Sequence, residues 1–186
     1  MKIFVTGFHR AGTRNGAREL SRKYNLTLFP EVGDMGRIYE LLLTEKAFAV
    51  SCPRLAHKSL ELSKHGTVFW AVRNRRDTLA SMRKIGFDID SFDLLKGFHN
   101  EFQCDPVWDK IEYDGSDDVY HGFIAHSALL FSIKNYFYEK YFKAVSSLLI
   151  LEDQPYYRPR EYNNLSVIEE KILLEATKKY ERACMV

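Results

Sequence analysis

The chain has 186 residues, enough for a single domain whose core removes well over half of the unfolded surface from water. Apolar residues make up 46% and aromatic residues 14%, which excludes a disordered chain; a net charge of +2 is too weak to imply a nucleic-acid partner. Cys52, Cys104 and Cys184 show no metal-ligand spacing, and there is no apolar leader or long apolar span, so the expectation is a reduced, soluble, cytoplasmic protein with no membrane partner.

The first stretch in chain order is also the most informative: residues 2–18, KIFVTGFHRAGTRNGAR. Ile3-Phe4-Val5 is an unbroken apolar run of the kind that forms a buried parallel strand. A loop runs from Gly7 to Arg14, and residues 13–24 read as a helix ending near Asn25. Strand, glycine loop and helix in that order present bare backbone N–H groups and a positive helix end to an anion. The glycines let the chain turn and approach a phosphate with no Cβ in the way. Against the nucleotide-binding pattern G-x-x-x-x-G-K-[ST], Gly7 and Gly12 are correctly spaced. Thr13, however, replaces the lysine, and Arg14 replaces the metal-binding hydroxyl. A basic residue, Arg10, stands inside the loop instead, so an ordinary ATP or GTP loop would lack two contacts here.

Leu26-Thr27-Leu28-Phe29 is a short strand-like run closed by Pro30, with Glu31, Gly33 and Asp34 after it. Residues 35–46 carry Met35, Ile38, Leu41 and Leu42 at the spacing of an amphipathic helix. A strand is expected over 47–52, stopped by Pro53, and a helix over 55–64, stopped by His65-Gly66. A further strand, Thr67–Val72, leads into Arg73-Asn74-Arg75-Arg76-Asp77-Thr78-Leu79-Ala80-Ser81, with a helix expected over 76–84. Residues 86–120 are rich in Phe, Asp and Gly, and 114–118 read as a loop. Residues 121–143 read as a long helix whose aromatic stripe (Phe123, Phe131, Tyr136, Phe137, Tyr138, Tyr141, Phe142) suits a core better than a binding platform. A last strand over 147–151 ends at Glu152-Asp153. After a loop over 155–164, Ser166 and Glu169 form a capping box for a closing helix. Strands alternating with helices imply an α/β fold, a three-layer, doubly wound parallel sheet flanked by helices, with ligands beyond the C-terminal strand ends.

The rearranged loop, G-x-x-[RK]-x-G-T, resembles the 5′-phosphosulfate-binding loop of sulfotransferases. The stretch from Arg73 to Ser81 resembles that family's 3′-phosphate motif, R-[DN]-P-x-D-x-x-x-S, with Arg75 where the family has proline. The resemblance covers residues 2–84 well and the rest loosely, although the acidic pair after the last strand is a further likeness. It implies one P-loop-type domain over residues 1–186 and the donor 3′-phosphoadenosine 5′-phosphosulfate. By the same resemblance, His9, Arg10, Ala11, Gly12, Thr13 and Arg14 hold the 5′-phosphosulfate, and Arg73 and Ser81 hold the 3′-phosphate. The residue types suit the task, because a planar, always-charged guanidinium and a hydroxyl are good partners for a fixed anion. A sulfuryl group carries less negative charge than a phosphoryl group, so positioning and fixed cations can move it; no metal requirement or metal site is expected.

Arg10 is expected to be the catalytic cation. Glu31 stands where several sulfotransferases acting on proteins or sugars carry a catalytic glutamate, which implies a general base; its plain reading is a solvated loop carboxylate. His57, in Pro53-Arg54-Leu55-Ala56-His57-Lys58, is the competing base. Ser51 takes the place of the family's lysine, leaving Arg54, Lys58 or Arg14 to substitute for it, or turnover to be weak. The family builds its acceptor pocket from segments corresponding to 32–39 and 86–126, where Phe98, Phe102, Trp108 and Tyr113 serve equally well as core. The function expected is sulfuryl transfer to a hydroxyl or amine on a small molecule, sugar or protein. Two alternatives stand beside it. One is a nucleotide or small-molecule kinase on the same fold, with Glu152 or Asp153 near magnesium. The other is a non-catalytic, nucleotide- or protein-binding homologue, which Ser51 favours.

Overall fold

Short apolar runs separated by helices assemble as parallel strands because each crossover carries the chain back to the same end of the sheet. In the computed structural model these runs are β1 (Lys2–Gly7), β2 (Thr27–Phe29), β3 (Phe48–Ser51), β4 (Thr67–Val72) and β5 (Ser147–Ile150). They form one sheet in the order β2-β3-β1-β4-β5, every neighbouring pair parallel. The structure describes residues 1–8, 10–74, 77–78, 81, 138–139, 142–155, 157, 171, 174–175, 177–178 and 182. The chain divides into one unit of Met1–Asn74 with Phe137–Pro159 and another of Arg75–Tyr136 with Arg160–Val186.

The first unit contains the whole sheet. Pleating sends alternate residues of a strand to opposite faces, so register decides which side chains share a core. Phe4 lies between Val50 on β3 and Val68 on β4. That row packs with Phe48 of β3, with Ile38 and Leu41 of helix α2 (Met35–Thr44), and with Leu62 of helix α3 (Ser59–Ser63). The Phe4 and Phe48 rings meet edge to face at 5.7 Å, an arrangement in which a ring's positive edge faces its neighbour's negative face.

Helix α1 (Thr13–Tyr24) buries Thr13, Gly16, Ala17, Leu20 and Ser21, spaced three and four apart as a single stripe. Gly16 of that stripe sits against Val5 of β1 and Leu149 of β5. Val5 alternates with Phe4, so α1 packs on the sheet face opposite α2 and α3. Right-handed crossovers account for this. The chain moves one way from β1 to β2 and the other way from β2 to β3 and from β3 to β4, and a reversal of direction at constant hand requires a change of face.

Local signals set the helix ends. Asp34 caps α2, its carboxylate accepting the Arg37 N–H at 2.8 Å. Asn25 ends α1 in the left-handed region at φ 50, and Arg22 and Lys23 place cations at the negative end of the helix. The Tyr39 hydroxyl of α2 donates to Glu61 of α3, and that hydrogen bond raises the phenol above its ordinary pKa.

Most of the expected elements lie within a residue or two of the observed ones, and Thr13–Tyr24 and Thr67–Val72 match at both ends. The helix expected over 55–64 is an exception. The chain forms a 3₁₀ helix over Pro53–Lys58 and only then α3, with Leu55 off helical geometry at φ −94 and ψ 22. Pro53 enters the turn directly from β3, and the Leu55 N–H closes back to the Cys52 carbonyl at 3.0 Å, a tighter ring than an α-helix makes. Of the helix expected over 121–143, Tyr138 and Glu139 are helical among the described residues, and Phe142–Ala144 forms a 3₁₀ turn. Of its aromatic stripe, Tyr138 is half-buried and tilts against Trp70 at 5.4 Å, whereas Phe142 is exposed and does not join the core.

In the second unit, Asp77, Thr78 and Ser81 are helical, as are Lys171, Leu174, Glu175, Thr177, Lys178 and Arg182. Thr78, Ser81 and Thr177 are buried. The segment 86–126, with Phe98, Phe102, Trp108 and Tyr113, and the capping box at Ser166 lie outside the described residues. Among the described residues, no helix is long and apolar enough to cross a membrane.

Phe4 is fully buried within the cluster beneath α2 and α3, so Phe4→Ala should cost about 3–5 kcal/mol, the usual range for emptying an aromatic site. A fall in the urea midpoint of less than the equivalent of about 1 kcal/mol would show that this core is not packed as described.

Candidate functional site

The site lies where the sheet's connections part. The chain leaves β1 toward β2 on one side and leaves β4 toward β5 on the other, so the carboxyl ends of β1 and β4 flank the topological switch point of the sheet. Gly7 ends β1 at φ 127, directly beside Ala71 of β4; a Cβ there would overlap the Ala71 backbone. Glycine lets the two strands stay paired to the point where the loop begins.

Beyond Gly7 the loop is tight. Phe8 is buried, and its carbonyl accepts the Ala11 N–H at 3.2 Å. Arg10 adopts the left-handed conformation at φ 63, uncommon for a residue with a side chain, and remains exposed. Ala11 is fully buried, which anchors the far side of the turn. Gly12 is the N-cap of α1, left-handed at φ 87, and a Cβ on it would come within 2.6 Å of Leu151. Thr13 opens the helix and is buried. The N-cap is a glycine, which has no side chain to offer, and no acidic residue lies in the first turn, so among the described residues the first-turn N–H groups lack the usual N-cap side chain. The end of α1 is therefore locally positive and faces the switch point.

The loop after β4 meets this turn. Arg73 donates from Nη1 to the Arg10 carbonyl at 3.3 Å, and its guanidinium lies 6.0 Å from the Tyr157 ring centre. Asn74 is tied to the exit of β5: its backbone N–H and its Nδ2 both donate to Glu152 Oε1, at 2.8 and 3.1 Å. Leu151 completes the junction by donating its N–H to the Val72 carbonyl at 2.9 Å. The exits of β1, β4 and β5 thus form one hydrogen-bonded and packed assembly.

Glu31 forms an ion pair with Arg14, the second residue of α1, and both side chains are more than half exposed. The sequence reading treated them separately, one as donor contact and one as base; the structure brings them together. Val32 then donates to the Ser51 carbonyl at 2.8 Å, fastening the Glu31 segment to the end of β3. Ser51, at the place of the expected lysine, is buried at 1% exposure. Of the residues considered as substitutes for that lysine, Arg14 is engaged with Glu31 and the Arg54 side chain lies against Gly33. Lys58 and His57 are half-buried in the 3₁₀ turn that follows β3. His9 lies outside the described residues, and Ser81 is a buried helical residue of the second unit.

Sequence reasoning did not identify the grip of Glu152 on Asn74 or the approach of Tyr157 to Arg73. The Glu152-Asp153 pair was visible, but nothing local says which backbone it holds. Among the described residues, no group of three or more His, Cys, Asp or Glu is gathered as a metal site. In comparisons with known proteins, the chain matches no family model, no curated protein and no solved structure.

The Arg14–Glu31 pair is exposed, so solvent screening limits its value to stability. A double-mutant cycle with Arg14→Ala and Glu31→Ala should return a coupling below about 1 kcal/mol. A larger coupling in urea unfolding would mean that the pair braces the fold.

Proposed function

We propose that this chain is a sulfotransferase-like enzyme of the P-loop type, with helices layered on both faces of its sheet. It would transfer a sulfuryl group from 3′-phosphoadenosine 5′-phosphosulfate to a hydroxyl or amine. The observation that carries the reading is the meeting of two arginine-bearing loops, through Arg10 and Arg73, beside the glycine-capped N-terminus of α1, whose own first turn holds no acidic residue. Such an arrangement suits a nucleotide with an anionic group at each end of its ribose.

In this reading Thr13, the helix N–H groups and Arg10 bind the 5′-phosphosulfate, and Arg73 binds the 3′-phosphate. The part of Ser81 rests on the sequence pattern. The acceptor oxygen or nitrogen attacks sulfur, and the bond from sulfur to the bridging phosphate oxygen breaks. Arg10 stabilises the charge left on that oxygen, and adenosine 3′,5′-bisphosphate departs. Glu31 takes the acceptor's proton, with His57 as the competing base. Arg14 holds the Glu31 carboxylate at the mouth of the loop.

The kinase reading is less well supported. The loop has Thr13 and Arg14 where a kinase places its lysine and its metal-binding hydroxyl, and Glu152 is engaged by Asn74.

Calorimetry with adenosine 3′,5′-bisphosphate and with ATP, each with and without magnesium, tests the proposal. Tight, magnesium-independent binding of the bisphosphate is expected, and Arg73→Ala should weaken it by about 10- to 100-fold, the value of a charge-assisted hydrogen bond. Preference for magnesium and ATP would overturn the reading in favour of a kinase. With an acceptor in hand, Glu31→Gln should lower kcat by about 10²- to 10⁴-fold with little change in KM. An undiminished kcat would pass the role of base to His57.

A further inference from the structure

The grip of Glu152 on Asn74 links the end of β5 to the residue immediately after Arg73. One carboxylate oxygen accepts both the Asn74 backbone N–H, at 2.8 Å, and its side-chain amide, at 3.1 Å. Accepting from the backbone fixes the peptide plane on which the chain leaves Arg73, and accepting from the side chain fixes the rotamer of the same residue. Two charge-assisted bonds to one residue restrain it far more than either alone. The strand below is held in the same register, because Leu151 donates to Val72 and β5 pairs with β4 through Val72 and Ile150. Tyr157, whose own N–H donates to the Gln154 carbonyl at 2.9 Å, comes to 6.0 Å from the Arg73 guanidinium. The β5 exit therefore acts on Arg73 from two sides, through the backbone that follows it and across its guanidinium.

We propose that Glu152 is a positioning residue for anion recognition: by holding Asn74 it aims Arg73 at the 3′-phosphate of the nucleotide. The assignment rests on the proposed role of Arg73 in binding that phosphate. Glu152 itself touches no ligand. Its carboxylate is spent on Asn74, which separates this role from that of a metal-bound acid, where the same group would face a magnesium ion and an ATP phosphate. A misaimed guanidinium loses the parallel hydrogen bonds that make arginine selective for phosphate, whereas the N–H groups at the α1 N-terminus do not depend on its aim.

The test compares two ligands that differ in one phosphate: adenosine 3′,5′-bisphosphate and adenosine 5′-phosphate, titrated calorimetrically into the wild type, Glu152→Ala, Glu152→Gln and the double variant Glu152→Ala/Arg73→Ala. Glu152→Ala should weaken the bisphosphate by roughly tenfold or more and leave the monophosphate within about threefold. Glu152→Gln keeps an acceptor oxygen for Asn74 and should stay within about threefold of wild type for both ligands. The double variant should lose little more than Arg73→Ala alone, because the two substitutions disable one contact. Equal weakening of both ligands by Glu152→Ala would mark a general structural role and overturn the proposal. So would a bisphosphate affinity that Glu152→Ala leaves intact, or a Glu152→Gln variant as impaired as Glu152→Ala. Either of the last two results, with tight wild-type binding, would leave the donor reading standing. A wild type that binds neither ligand would instead bring down the donor reading and this assignment with it.

Discussion

The structure depends on how closely β1 and β4 can run together to their carboxyl ends. β1 is hydrogen-bonded on both sides, to β3 and to β4, and it stays paired with β4 as far as Gly7 and Ala71. That last step requires a residue without Cβ in a left-handed conformation, because the Ala71 backbone occupies the space a side chain would need. Because the strands do not splay, the two loops that follow them emerge side by side. The contact between Arg73 and the Arg10 carbonyl is the direct consequence.

From that constraint the roles of the surrounding residues follow. Gly12 lets α1 start beneath Leu151, so the positive end of the helix meets the same edge as the two arginine loops. Gly16 and Ala17 let α1 lie close to Val5 and Leu149, which sets how far that end projects. On the other face, the row Val50–Phe4–Val68 beneath α2 and α3 keeps β3, β1 and β4 level. The site is therefore held by packing beneath it and by hydrogen bonds around it, while Arg10, Arg14 and Glu31 remain exposed at its rim. Side chains carried on a rigid edge but open to solvent can engage an anionic ligand without reorganising the core.

Charge is arranged unevenly along this edge. Two carboxylates beside the loops are engaged, Glu31 by Arg14 and Glu152 by Asn74. Their effects differ in kind. The Arg14–Glu31 pair is a solvent-screened contact between two flexible side chains, easily exchanged for another partner. Glu152 instead bonds a backbone amide, which cannot swing away, and so acts on geometry more than on charge. This contrast separates a screened, exchangeable contact from one that holds a loop.

What the sequence by itself determined was local. Apolar runs marked β1 and β4, a helix was legible over Thr13–Tyr24, and Gly7 and Gly12 marked a tight loop between strand and helix. These signals need only neighbours a few residues away, since hydrophobic period and left-handed glycine geometry are properties of short segments. The split of residues 53–63 into a 3₁₀ helix and a short α-helix was not legible in the same way, because it depends on how the chain leaves β3 at Pro53. Tertiary structure alone decided that β1 stands between β3 and β4, and with it every long-range pairing at the site. Arg73 reaches Arg10 across 63 residues of chain, and Glu152 reaches Asn74 across 78. Arg14 finds Glu31 because α1 and the segment after β2 return to one edge of the sheet. Crossover direction, strand register and face set those meetings, and no short stretch of sequence contains them.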